Sequence, residues 1–474
     1  HCWIHFRQCL LGVRLLVFFL VSFRYFFTIL RQSFTKDLLF LLIQSKINFL
    51  VMKKFPFFKS TFIISLLIKI FLFSPFASGK SPKIQLGIDY LEESKFSVLD
   101  GKRVGLLTHP AGKNARGEQT VDVFVRSSNV NLVALFGPEH GIYGDEKASV
   151  PVDDKIDQKT GLPVFSLYGK FRRPNEKMLS QIDSLVIDLQ DVGVRCYTYI
   201  SCMKYVMEAC FEYGVEVVVL DRPNPLGGIK MAGPSMDKSC MSYVGAFQIP
   251  FVHGMTIGEL ALWSKKVPGV LNTDEENRKK GKLVIVPMIG WNRQMTWPET
   301  GLSWHPTSPN IPTLDSVAGY PMTGLGAQLG KFKHGIGTPF PFRFLTFEGK
   351  KPEELKLALE NLNIPGLAYS LKTLTLGNGK KVSGVYLVIN DWNAWRPTDL
   401  PFYMMKLTAL WQSPNPFTEA SDSEATLFNK HDGSQDWWNA LCREGGEIDP
   451  NKFFKIWDAE TRLFKSNVEP YLLY

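Results

Sequence analysis

Residues 184–200 read SLVIDLQDVGVRCYTYI. The run Ser184–Leu189 is short and apolar on both faces. Such a strand suits the interior of a parallel sheet covered by helices on each side. Polar residues follow at once: Asp188, Gln190 and Asp191, then Gly193, Arg195, Tyr197 and Tyr199. Working outward, similar runs lie at Arg103–Thr108, Leu132–Phe136, Val164–Leu167 and Glu216–Leu220, with helical segments at Gln119–Arg126, Asn175–Ile182 and Tyr199–Tyr213 between them. Alternation of strand and helix predicts a doubly wound α/β domain with a mostly parallel sheet. The turn after the first strand reads GLLTHPAG (105–112), so the glycine fingerprint of dinucleotide binding is absent, which disfavours a nucleotide-dependent dehydrogenase or transferase.

In open α/β sheets, ligands bind beyond the carboxyl ends of the strands. Polar clusters stand at four such ends: Thr108-His109-Pro110, Gly137-Pro138-Glu139-His140-Gly141, the Asp188–Asp191 stretch, and Asp221-Arg222-Pro223-Asn224-Pro225. One cluster means little, because Asp and Asn often cap helices. Four at corresponding ends predict a site. Glu139, in a loop shaped by Gly137, Pro138 and Gly141, is the first candidate for the reacting carboxyl group, since a partly desolvated carboxyl suits general-acid work; the competing reading makes it a helix cap or a partner of Arg195. His140 is a candidate acid/base. Asp188 and Asp191 are candidate second carboxylates, and either one alternatively pairs with Arg195 or Arg222. Gln190, Asp221, Arg222 and Asn224 are candidate substrate contacts. Tyr197 and Tyr199 either stack on a sugar or fill the core.

Near Pro250 the texture changes. Thr256 and Glu259 form a capping-box pattern for a helix to about Lys265, and His253 just before it is a further candidate contact. Lys282–Met288 predicts a strand. Residues 289–345, rich in Gly, Pro, Trp and Phe, predict long loops forming one wall of a cleft. Within them Trp304-His305-Pro306-Thr307-Ser308-Pro309-Asn310-Ile311-Pro312-Thr313 is a proline-stiffened strap, in which Trp304 suits stacking on a pyranose and Asn310 suits an amide or hydroxyl. Helices are expected at 352–363, 400–412 and 450–465, and a strand at Gly384–Asn390. The expected division is a catalytic α/β domain over 80–270 and a smaller α/β subdomain over 271–474.

The chain has 474 residues with 54 Lys and Arg against 45 Asp and Glu. Residues 1–79 carry ten of the basic residues and one acid, so the remainder is neutral, which disfavours a body built for nucleic acid. Met52 opens a Lys53-Lys54 pair, an apolar stretch from about Phe62 to Phe73 and a small-residue ending at Ala77-Ser78-Gly79. Residues 52–79 therefore read as a cleaved signal peptide, 1–51 as upstream translation that is not native, and the product as exported, periplasmic or secreted, and free of the membrane after cleavage. Lys69 shortens the apolar run below the roughly 20 residues a membrane span needs. Five Cys follow position 80, an odd number that leaves a thiol unpaired, and most read as core residues. No HxH or HExxH spacing indicates a metal, and no cofactor is expected.

Taken together, LVALFGPEHGIYGD (132–145), GLPVFSLYG (161–169), LVIDLQDVGVRCYTYISCM (185–203), VVVLDRPNPLGG (217–228), VHGMTIGEL (252–260), LSWHPTSPNIPTLDS (302–316) and NDWNAWRP (390–397) resemble the exported exo-β-N-acetylmuramidases, over almost all of 85–474. The resemblance implies a Rossmann-like domain plus a smaller subdomain with a cleft between them. It also implies release of N-acetylmuramic acid from the non-reducing end of peptidoglycan fragments in cell-wall turnover, with muropeptides or disaccharides as partners. Glu139 corresponds to the family's acid/base glutamate, and Arg195, Tyr197 and Tyr199 to sugar-binding positions. One block departs: where the family carries a Glu and an Arg after Tyr-Pro, this chain has Ala327 and Ile336. That departure motivates the alternative of a non-catalytic muropeptide-binding protein on the same fold.

Overall fold

The structure, a computed structural model, describes residues 84–144 and 155–474. The expected upstream segment and signal peptide lie outside the described residues. Seven strands build the main sheet: β1 (Arg103–Thr108), β2 (Asn131–Gly137), β3 (Lys155–Ile156), β4 (Pro163–Ser166), β5 (Ser184–Asp188), β6 (Glu216–Leu220) and, beyond the mutually paired β7 (Ala232–Ser235) and β8 (Pro250–Val252), β9 (Leu283–Val286). Their order is β3-β4-β2-β1-β5-β6-β9. All neighbours run parallel except β3 and β4.

The apolar runs account for this arrangement. Leu185 and Ile187 join Leu107, Phe136, Val217 and Val219 in one core, with side chains of the helix Tyr199–Glu212. Val186, one step out of phase, joins Val104, Leu106, Leu135 and Val218 in the other, with the helices Gly87–Glu93 and Thr120–Arg126. Period-two alternation thus feeds both faces. At about 1.5–3 kcal/mol for each fully buried aliphatic side chain, a two-sided strand gains at every position rather than every second one. The helix Tyr199–Glu212 is buried almost throughout, and its one lysine, Lys204, is neutralised by Glu208 one turn on at 2.7 Å. The capping box predicted at Thr256 is present, with Glu259 N donating to Thr256 Oγ1 and Thr256 N to Glu259 Oε2.

Two expectations are corrected. The strand near 282–288 opens no second domain: β9 pairs with β6 and extends the main sheet. The division at 270/271 therefore falls inside the first body. A four-residue strand after a pair of helices carries no local mark of which sheet it joins. The segment 289–345 is not all loop either. It holds the helix Leu314–Thr323, with Pro321 inside it, whose N-cap Thr313 accepts from Ser316 N at 3.2 Å. Proline near the end of that helix hid it from a reading by periodicity.

The second body is an antiparallel sheet in the order β10 (Phe332–Lys333), β11 (Phe344–Phe347), β13 (Lys381–Ile389), β12 (Leu367–Thr375), with the helix Pro352–Asn361 packed on it; the helices Asp399–Trp411, Asp422–Asp432, Gln435–Glu444 and Pro450–Val468 follow, the last packing on the β7–β8 ribbon. The chain then returns to the first sheet. Tyr474 Oη donates to Asp221 Oδ2 at 2.8 Å and accepts from Met288 N at 2.9 Å. All five cysteines after position 80 are free thiols, four of them buried. No helix of the described residues is long and apolar enough to cross a membrane.

Candidate active site at the carboxyl edge of the sheet

The loop after β2 makes the sharpest feature of this edge. Gly141 N donates to Pro138 O at 3.0 Å, and both His140 and Gly141 have φ of 71°. A non-glycine residue in the left-handed region is strained by roughly 1–2 kcal/mol, so tertiary contacts hold this turn. It presents Glu139, half-buried, to the loop after β5, where Thr198 Oγ1 donates to Glu139 Oε2 at 3.1 Å. Burial, together with nearby groups that include Glu139, pushes the Tyr199, Tyr243 and Tyr320 phenols well above their usual 10. His140 is buried beside Glu139.

The proline-stiffened strap reaches this edge through Thr307. Its Oγ1 accepts from Tyr197 Oη at 2.8 Å and its carbonyl from Tyr199 Oη at 2.7 Å. The two tyrosine rings meet edge-on at 4.8 Å, and His109 packs on Tyr199 at 4.7 Å. Tyr197 and Tyr199 are therefore walls with satisfied hydroxyls, not open stacking platforms. Trp304 is half-buried, packs against Trp297 at 5.0 Å and donates Nε1 to Ile311 O at 3.3 Å. Asn310 is half-buried on the same strap.

Other candidates separate by what their polar atoms already do. Asp188 is fully buried and held by Arg222 through both oxygens, at 2.6 and 2.8 Å, with Thr120 Oγ1 as a further donor. It is a sealed ion pair. Asp191 keeps one oxygen, Oδ1, without a partner among the described residues, while Oδ2 takes Gly193 N at 2.7 Å and His253 Nε2 at 3.2 Å. Because Met255 N donates to His253 Nδ1, the proton sits on Nε2 and points at Asp191. Asp221, fully buried, accepts from Arg222 N, Gly258 N, Thr256 and Tyr474. Asn224 spends its amide on Met255 O and Leu226 N.

Arg195 is placed differently from its expected sugar-binding position. It is fully buried, and its guanidinium donates to the carbonyls of Pro234, Ile249, His431 and Asp432 at 2.5–3.3 Å. It ties the loop after β5 to the β7–β8 ribbon and the helix Asp422–Asp432. The residues that sequence reading missed are Thr198 and Thr307, flanked by Tyr in one case and set between prolines in the other, and the distant Tyr243 and Tyr320. Of the two departures from the family pattern, Ala327 closes the short turn Leu325–Ala327, and Ile336 stands exposed between Gly335 and Gly337.

Between the two bodies lies a cavity of about 520 Å³, lined on one side by Pro225, Leu226 and Trp297 and on the other by Leu314, Arg343 and Trp392. Among the described residues no group of three or more His, Cys, Asp or Glu side chains is placed to hold a metal.

Fold and site together define a two-body α/β protein with a half-buried carboxylate, held by Thr198, at the carboxyl edge of its sheet. Residues 104–315 match the family model for the N-terminal part of exo-β-N-acetylmuramidase NamZ, and residues 318–474 that for its C-terminal part. The peptidoglycan β-N-acetylmuramidase NamZ of Bacillus subtilis is 42% identical over 319 residues, 66% of this chain and 74% of that protein. A crystal structure of a DUF1343 family protein from Bacteroides fragilis matches with a TM-score of 0.74 at 36% identity, over 83% of this chain and 99% of its own. A second DUF1343 protein from that organism matches with a TM-score of 0.60 at 26% identity, over 82% and 99%. This chain belongs to the exo-β-N-acetylmuramidase NamZ family.

Proposed function

We propose that this protein is an exo-acting glycoside hydrolase that releases N-acetylmuramic acid from the non-reducing end of peptidoglycan fragments, with Glu139 as the general acid. One observation supports that role above the others: Glu139 is the carboxyl group carried on a strained turn, half-buried, with one oxygen accepting from Thr198. As the C1–O bond breaks, Glu139 passes its proton to the leaving oxygen; water then adds to C1, and its proton returns to the carboxylate. The second group we assign is Asp191, whose buried Oδ1 has no hydrogen-bond partner among the described residues while His253 holds Oδ2. Asp188 is excluded from direct chemistry by its bidentate pairing with Arg222. Residues 52–79 support export, and the place of action we propose is the periplasm or the exterior, in cell-wall turnover.

Glu139→Gln tests the reading. Release of N-acetylmuramic acid from a muropeptide-derived disaccharide is expected to fall by at least about a hundredfold with the melting temperature unchanged. Turnover at the wild-type rate removes Glu139 from the mechanism. A wild-type protein that binds the disaccharide in calorimetry and yields no product favours a binding protein instead.

A further inference from the structure

The sheet reverses between β1 and β5: the chain leaves β1 toward β2 and leaves β5 toward β6. Loops that follow those two strands diverge, and the crevice outside their carboxyl ends is where doubly wound sheets take ligands. Here that crevice is a cavity of about 260 Å³. Lys113 and Asn114 enter it from the loop after β1, Gln190 from the loop after β5, Arg222 from the loop after β6, and Trp297 and His305 from the far side. Among the described residues no Asp or Glu lines it.

Its unpaired charge is that of Lys113, since Arg222 is neutralised by Asp188 and contributes one unspent donor rather than a free charge. Arg116 at the rim is paired with Glu92 and Glu118. Arg222 uses Nε and Nη2 on Asp188 and on Lys113 O, which leaves Nη1 without a hydrogen bond among the described residues. Lys113 Nζ has no carboxylate partner among the described residues. Burial, and after it the Lys113 and Arg222 cations, hold His305 below its ordinary pKa.

Gln190 supplies the independent observation. It is 1% exposed. Its Nε2 donates to the carbonyls of Asp191 and Pro223 at 2.8 and 2.9 Å, which fixes the amide orientation and leaves Oε1 with no donor among the described residues. A buried acceptor left this way costs about 1–3 kcal/mol. The loop carrying it is held by His109, whose Nε2 accepts from Gln190 N at 2.9 Å. His109 also packs on Tyr199, so the crevice and the Glu139 wall share one support.

We propose that this crevice binds a carboxylate carried on a skeleton that also bears O–H or N–H groups: the carboxylate pairs with Lys113 Nζ and Arg222 Nη1, and an adjacent O–H or N–H donates to Gln190 Oε1. A sugar acid meets both demands. N-acetylmuramic acid has the carboxylate and the donors, N-acetylglucosamine the donors alone, and D-lactate the carboxylate with one hydroxyl. Naming the sugar rests on the activity proposed above; the anion site does not.

Calorimetry on the full chain with these three compounds tests it, using wild type and Lys113→Met. Lys113 is half-exposed and unpaired, so the substitution spares the fold. Wild type is expected to bind N-acetylmuramic acid at least about tenfold more tightly than N-acetylglucosamine. In Lys113→Met that preference collapses and D-lactate binding is lost, while affinity for N-acetylglucosamine stays. Gln190→Glu, which sets a negative charge where a donor is accepted, is expected to lose the acid as well. Equal affinity of wild type for the two sugars with no D-lactate binding, or a preference retained in full by Lys113→Met, overturns the site. Product release from the disaccharide is read separately. Lys113-dependent D-lactate binding without any product leaves the anion site standing and removes the hydrolase. Product release with an unchanged preference in Lys113→Met removes the anion site alone.

Discussion

Thr198 Oγ1 donates a hydrogen bond to Glu139 Oε2 across 3.1 Å, joining the loop after β5 to the loop after β2. The two residues are 59 positions apart in the chain, and the bond fixes which way the proposed acid faces.

Removing that donor is expected to act through orientation. In Thr198→Val kcat is expected to fall by about tenfold while KM and the melting temperature change little. An unchanged kcat assigns Thr198 to packing alone.

Asp188 is expected to report stability before catalysis. Its carboxylate and the Arg222 guanidinium are both almost fully buried. Breaking one partner of such a pair costs about 3–5 kcal/mol. Urea unfolding of Asp188→Ala should show that loss. A variant of native stability that is catalytically dead would instead return Asp188 to the chemistry.

Arg195 leads to a parallel expectation. Burial draws its pKa down to about 10, so it remains a cation at neutral pH, and four main-chain carbonyls accept from it. Arg195→Met takes a donor from all four oxygens, of which Ile249 O keeps Met236 N at 3.3 Å, and is expected to destabilise by more than about 3 kcal/mol. A raised KM in a protein of unchanged melting temperature is the outcome that contradicts this placement.

Asp432 gives stability a pH dependence. Burial, opposed by Arg195, lifts its pKa from 3.8 to about 7. Between those values the folded chain holds a proton that the unfolded chain has released, so this group's contribution falls as pH rises through the window and stays low above it. Below the unfolded value the two states do not differ. Asp432→Asn removes the term, and its urea midpoint relative to wild type is expected to be higher at pH 8 than at pH 5. A difference that does not change with pH assigns the dependence elsewhere, Asp221 with a pKa of about 6 being the next group to test.

By itself, the sequence determined the strands of the main sheet and the edge at which chemistry gathers. Runs such as Leu185–Ile187 are apolar at every position, and that local signal has one good solution, a parallel strand between helix layers. The Pro138–Gly141 turn was legible for the same reason, because Gly and Pro carry backbone geometry within themselves. Only the tertiary structure decided which polar residues at that edge are free to act. Asp188 and Asp191 stand three positions apart and look alike in the chain, yet Arg222 engages both oxygens of the first, while His253 takes one oxygen of the second and leaves the other, also buried, without a partner among the described residues. Arg195 looked like a sugar clamp until carbonyls from beyond position 430 claimed it, and β9 looked like the start of a new domain until β6 paired with it. Hydrogen-bond partners and strand neighbours come from residues tens to hundreds of positions away, and no local pattern encodes which of them arrive.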